Sequence, residues 1–234
     1  EICATGQHRE LLDQALHHFD LHPDHDLAVM TERQSLSSLT SRTIEGMDAL
    51  IRRTSPQLVI VQGDTTSAMT AALAAFYQRV SVAHVEAGLR TNNKYSPFPE
   101  EINRRLVASI TDVHFAPTVG ARDNLLREGI DPSAVHITGN TAIDALLWTV
   151  ARFDDSEQSL PAIIGPSLDT RTLAGKRVVL VTAHRRENYD AGIEEICEAL
   201  LTVAALPDAA IVLPVHYNPN IRQVVLCRLG GREN

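Results

Sequence analysis

Short apolar runs alternate along this chain with amphipathic or Ala-rich stretches, and that alternation predicts the elements. QLVIVQ (57–62) is rich in β-branched residues and predicts a buried strand. GDTTSAMTAALAAFY (63–77) starts polar and continues as an Ala-rich helix. RVSVAHVE (79–86) predicts the next strand, and PEEINRRLVASI (99–110) a helix with Pro in its first turn. DVHFAP (112–117) and VHITGN (135–140) read as strands. TVGARDNLLREG (118–129) reads as a helix closed by Gly129, and TAIDALLWTV (141–150) as another. Further on, KRVVLVTAH (176–184) and AAIVLPVH (209–216) predict strands. IEEICEALLTVAAL (193–206) and NIRQVVLCRLG (220–230) predict helices.

This β-α-β-α rhythm predicts an α/β fold with mostly parallel sheets covered by helices. FDDSEQSLPAIIGPSLDTRTLAGK (153–176), rich in Pro, Gly, Ser and Asp, interrupts it. The economical division is a first Rossmann-like domain over 1–138, a crossover helix and linker over 139–175, and a second Rossmann-like domain over 176–234. Residue 1 falls at or inside a strand with no βα unit before it. The second domain shows two strands, where a doubly wound domain has about five or six. The expectation is therefore part of a longer protein, lacking the first strand and helix and the distal part of the second domain.

Composition narrows the function classes. The 234 residues are 44% hydrophobic and 21% charged, enough for a real core. The net charge of −8 argues against a broad nucleic-acid surface. No apolar run approaches the roughly 20 residues that span a bilayer. The opening EICATGQHRE lacks the basic start and apolar middle of a secretory leader. Cys3, Cys197 and Cys227 form no C-x-x-C, which suggests buried thiols in a reducing compartment, read as cytoplasmic.

In open α/β sheets, ligands bind beyond the carboxyl ends of the strands. The predicted strands deliver Gly63, Asp64, Thr65 and Thr66, then Glu86, Gly88 and Arg90, then Gly139, Asn140 and Thr141. Farther along come His184, Arg185 and Arg186, and His216 and Asn218. Each has a plainer reading. Asp64 could cap the helix that follows it. Glu86 could pair with Arg90. Glu100 and Glu101 sit where a helix dipole favours anions. His17, His18, His22, Asp24 and His25 lie close in sequence but lack a closed metal-ligand spacing, so they read as a polar helix end and loop. Neither G-x-x-x-x-G-K-[ST] nor G-x-G-x-x-G is present, leaving Walker-type ATP use and a standard NAD fingerprint unsupported. Carboxylates, histidines and arginines at strand ends suit an enzyme acting on a phosphorylated or nucleotide-linked substrate. Proton transfer needs the carboxylates, and a departing phosphate needs cations.

Several longer strings share one pattern: QHRELLDQ (7–14), GDTT (63–66), AAFYQR (74–79), HVEAGLRT (84–91), YSPFPEEINR (95–104), ITGNTAIDAL (137–146), TAHRREN (182–188) and PVHYNPN (214–220). The chain closely resembles the bacterial non-hydrolysing UDP-N-acetylglucosamine 2-epimerases. The resemblance implies two Rossmann-like domains of the glycosyltransferase-B type, with the substrate in the cleft between them. It implies interconversion of UDP-GlcNAc and UDP-ManNAc, for surface polysaccharide, by elimination and re-addition of UDP through a 2-acetamidoglucal. It implies no metal or redox cofactor, and a homodimer. Asp64, Glu86 and Glu100 match the family's catalytic carboxylates, and His184 its catalytic histidine. Gln7, Glu10, Arg33, Arg185 and His216 match a second UDP-GlcNAc site, an allosteric one, with Glu100 bordering both. The family's opening G-T-R-P-E loop and distal D-S-G-G-type loop are absent, so this chain alone is expected to be inactive or badly impaired. The alternatives are a glycosyltransferase of the same fold, a catalytically dead nucleotide-sugar-binding fragment, and a hydrolysing epimerase.

Overall fold

Within a computed structural model describing residues 1–6, 9–29, 34–155, 170–183, 191–215 and 219–231, strands and helices alternate as the pattern predicts. The order is β1 (Cys3–Ala4), α1 (Arg9–His18), β2 (His25–Asp26), α2 (Leu36–Thr54), β3 (Leu58–Gln62), α3 (Thr66–Tyr77), β4 (Ser81–Val85) and α4 (Glu100–Ile110). Then come β5 (Val113–Ala116), α5 (Val119–Arg127), β6 (Val135–Ile137) and α6 (Thr141–Asp155). The chain continues with β7 (Arg177–Leu180), α7 (Ala191–Ala204), β8 (Ala209–Val212) and α8 (Pro219–Leu229). Strand pairing is parallel throughout the described residues, in sheets β1-β2, β3-β4-β5-β6 and β7-β8. The chain forms two compact units, Glu1–Leu146 and Leu147–Asn234. No helix of the described residues is long and apolar enough to cross a membrane.

The core of the first unit explains its local structure. α3 is apolar on nearly every side, and Ala72, Ala74 and Ala75 are fully buried between α2, α4 and the sheet. A helix apolar all round belongs inside. Its small side chains let neighbours approach, and Thr70 satisfies its buried hydroxyl on the Thr66 carbonyl at 2.8 Å. Thr65 caps the helix, its hydroxyl accepting from the Ala68 amide at 3.2 Å, a contact typically worth about 1 kcal/mol. A second cluster, including Ala87, Ala116, Ala121 and Leu125, seats α5 on β5 and β6. In the second unit, Ile193 and Cys197 of α7 pack with Ile221 and Val225 of α8.

Three expectations need correction. The strand at 57–62 is not buried on both faces: Leu58 and Ile60, which share one face of β3, are exposed, while Val61 on the other face is buried. A cavity of about 310 Å³ runs along β3 and is lined also by Cys3, Met47 and Leu50. Cysteine burial is mixed, with Cys197 buried, Cys3 half-buried and Cys227 exposed on α8. Pro99 is the residue before α4 rather than part of its first turn. The histidine-rich stretch is spread out: His17 and His18 end α1, His22 and Asp20 are exposed, and His25 meets the Glu1 carboxylate at 2.9 Å.

Candidate functional site

Register places the site. Gln62 pairs with Val85, so β3 and β4 end side by side and Gly63–Asp64 leaves the sheet beside Glu86. The Gly63 amide donates to the Val85 carbonyl at 3.0 Å, and the Ala87 amide to the Phe115 carbonyl at 3.0 Å. Glu86 is thus fixed from both sides, yet its φ is 69°, a left-handed conformation that disfavours a side chain. Such strain costs on the order of 1–3 kcal/mol and concentrates at functional sites. The Glu86 carboxylate faces Gly63, with Oε2 3.7 Å from where a Cβ on Gly63 would lie. Burial, and next the Asp64 carboxylate, push the Glu86 carboxyl above its ordinary range, while Arg104 pulls it back.

Asp64 does not cap α3, since Thr65 does that. Its carboxylate meets Arg104 Nη1 at 3.2 Å, and its carbonyl accepts from Asn103 Nδ2 at 2.8 Å. The Gly63 carbonyl accepts a 2.8 Å bond from His84 Nε2, which makes Nε2 the protonated nitrogen. Burial holds His84 below the usual histidine range, and it lies beside His114 in register on β5. His114 is pushed down to about 4, first by burial and then by His84. Both rings are neutral near pH 7.

Arg90 does not pair with Glu86. It forms a two-pronged bond to Glu128, the residue that follows α5, at 2.8 and 2.7 Å, and its side chain is almost fully buried. Of the two glutamates opening α4, Glu100 is half-buried and Glu101 fully buried. Glu101 accepts from the Thr91 and Asn92 amides at 3.0 and 3.2 Å and from Arg105 at 3.3 Å. Burial alone would raise its carboxyl, but these donors, with Arg104, bring it below the ordinary value. Beyond Asn92 the loop tip carries Tyr95 and Phe98, both exposed, with ring centroids 6.4 Å apart. Gly88, at φ 86°, passes so close to α5 that a Cβ would sit 2.2 Å from the Ala121 carbonyl oxygen. Asn140 caps α6 through the Ala142 amide, and Thr141 accepts from Gln62, so both are occupied structurally.

Of the residues predicted from sequence, Asp64 and Glu86 come together. Glu100 opens α4 in the same segment, and no hydrogen bond or ion pair among the described residues links it to either. Glu10 lies in α1. Gln7, Arg33, His184, Arg185 and His216 lie outside the described residues. Sequence reasoning missed His84, Asn103 and Arg104. Their signal was a polar residue in a core position: Asn103 and Arg104 fall four before the buried Val107 and Ala108 of α4.

A family model described as UDP-N-acetylglucosamine 2-epimerase matches residues 1–234. The UDP-N-acetylglucosamine 2-epimerase of Escherichia coli strain K12 is 46% identical over 237 residues, covering 100% of this chain and 62% of that protein. This chain thus spans about three-fifths of the length of the curated relatives it matches. Among solved structures, a UDP-GlcNAc 2-epimerase from Neisseria meningitidis bound to UDP-GlcNAc superposes with a TM-score of 0.89. It is 41% identical, over 99% of this chain and 62% of that one. The Methanocaldococcus jannaschii UDP-GlcNAc 2-epimerase, in complex with UDP-GlcNAc and UDP, gives a TM-score of 0.78 at 29% identity, over 97% and 60%. The fold is the Rossmann-like, glycosyltransferase-B type that the sequence implied. Motifs, architecture and the full-length family match agree, and the chain belongs to the UDP-N-acetylglucosamine 2-epimerase family.

Proposed function

We propose that this chain carries the acid–base centre of an enzyme that interconverts UDP-GlcNAc and UDP-ManNAc. The observation that carries the reading is Glu86, strained at the end of β4 beside Asp64, with its carboxyl raised above its ordinary range by burial and by that neighbour. Two carboxyl groups placed side by side in a turn suit proton removal and return at one carbon. The sugar C2 proton is not next to a carbonyl, so its direct loss is difficult. Eliminating UDP across C1–C2 couples that loss to departure of a stabilised diphosphate. Return of UDP to C1 on its original face, with a proton delivered to the opposite face of C2 of the 2-acetamidoglucal, inverts C2. Asp64, Glu86 and Glu100 are the carboxylates of this scheme, and His184 is assigned to the departing diphosphate by its motif. The nucleotide sugars bound to the Neisseria and Methanocaldococcus relatives support the substrate class. Gln7, Glu10, Arg33, Arg185 and His216 are assigned by motif to a second, activating UDP-GlcNAc. A cytoplasmic homodimer supplying surface polysaccharide synthesis completes the reading.

The test is incubation with UDP-GlcNAc in D2O, followed by NMR. Deuterium at C2 together with UDP-ManNAc is expected from a protein that carries this chain together with the remaining two-fifths of its relatives' length, with a loss of about 10²-fold or more in its Glu86→Gln variant. That longer protein, folded and producing neither signal, overturns the proposal.

A further inference from the structure

Arg104 is 7% exposed, which is rare for an arginine, and two carboxylates flank it. Nη1 meets Asp64 at 3.2 Å. Nη2 lies 3.4 Å from Glu101 Oε2, an ion pair without hydrogen-bond alignment, and Nε is buried with no hydrogen-bond partner. Unsatisfied buried donors are costly, and a fold needing α4 anchored already has Glu101 on the 91–92 amides and Asn103 on the Asp64 carbonyl. Arg104 therefore calls for a role besides anchoring. Among the described residues, the charged groups facing Glu86 are Asp64, from the turn after β3, and Arg104, from α4. Glu101 stands behind Arg104, and neutral His84 holds the turn from β4. The guanidinium thus sits at the one carboxylate pair where protons are to be exchanged, and pairs directly with one member.

We propose that Arg104 is a positioning residue for this pair: it pins the Asp64 carboxylate by an ion pair and holds its positive charge against Glu86. The inference rests on the reading that Asp64 and Glu86 form one acid–base centre. Two carboxyl groups side by side are useful for acid and base work when their surroundings set them apart. Here Arg104 pairs directly with one and tempers the other, keeping the Glu86 proton removable.

The test reads ionisation rather than turnover. The protein is labelled with ¹³C at glutamate side-chain carboxyls and titrated by NMR, with the Glu86 signal assigned by its loss in Glu86→Gln. Arg104→Gln is expected to move the Glu86 midpoint upward. Arg104→Lys, which keeps the charge but reaches fewer partners, moves it the same way by less and stands in if the Gln variant does not fold. The acidic limb of the kcat/KM profile shifts in the same sense, with a loss of about 10²-fold at the optimum. A Glu86 midpoint that stays put or falls in a folded Arg104 variant overturns the inference. The expected titration, with no exchange at C2 in a protein that carries this chain together with the remaining two-fifths of its relatives' length, overturns the proposed function instead.

Discussion

Gly88→Ala tests how tightly the Glu86 turn is built. Two costs arise at this position and can be separated. The residue sits at φ 86°, where an alanine is strained by about 1–2 kcal/mol. The added Cβ would also meet the Ala121 carbonyl oxygen at 2.2 Å, its carbon at 2.8 Å and Leu125 Cγ at 3.0 Å. Two of these atoms are backbone in the first turns of α5, so the helix itself must give way, at about 1–3 kcal/mol. The total expected is roughly 2–5 kcal/mol. Gly129→Ala is the matched control: its φ is 87° and nothing lies within 4 Å of where a Cβ would sit, so only the first cost applies. Urea unfolding, read from NMR amide signals of β4 and α5, compares the two within one unit. The Gly88 variant should also lose epimerase activity, because Glu86 is two residues away. Equal destabilisation of the two variants, with activity retained in both, would refute the steric argument.

Other residues give further expectations. Glu101→Gln at pH 7 removes the fully buried partner of Arg104 and Arg105, leaving Arg104 to Asp64 and Arg105 to Glu128, and should cost about 1–3 kcal/mol. Because the Glu101 carboxyl is held below 4.5 in the fold, its contribution is present above that pH and lost as pH falls through the folded value. The gap between variant and wild type should close in acid, and a gap constant down to pH 3 counts against this role. His114 prefers to be neutral, so its contribution is full above 6.5 and lost as pH falls toward about 4. At about 1.4 kcal/mol per pH unit this amounts to about 3 kcal/mol, with His84 adding in the same direction. His114→Phe should flatten that acid slope in urea melts, and parallel pH curves would contradict it.

Strands were legible where a short apolar run ended at a polar turn, and for that reason Asp64 and Glu86 could be picked out. α2 was not read, although it has 19 residues. Its first half is rich in Ser and Thr, and its buried stripe of Leu39, Met47, Leu50 and Ile51 is interrupted by Thr43 in a core position. The exposure of one face of β3 was equally hidden, because an apolar run looks the same whether one face or both are covered. The roles of His84, Asn103 and Arg104 depend on which turn passes over them in three dimensions. The plain pairing of Glu86 with Arg90 failed for the same reason: Glu128, 38 residues on, holds Arg90.

The loop between β4 and α4 is tied close to both ends. Glu101 grips the amides of Thr91 and Asn92, while α4 itself is locked to the Asp64 turn. The intervening tip, with Tyr95 and Phe98, is fastened to the same frame: the Thr91 hydroxyl donates to the Ser96 carbonyl at 2.6 Å, and the Glu101 amide to the Pro97 carbonyl at 3.1 Å. Glu101 therefore holds the loop by its side chain and its backbone at once, so rim and floor of this site form one cooperative piece. A change at the rim is felt at the carboxylates, and the two can diverge only together.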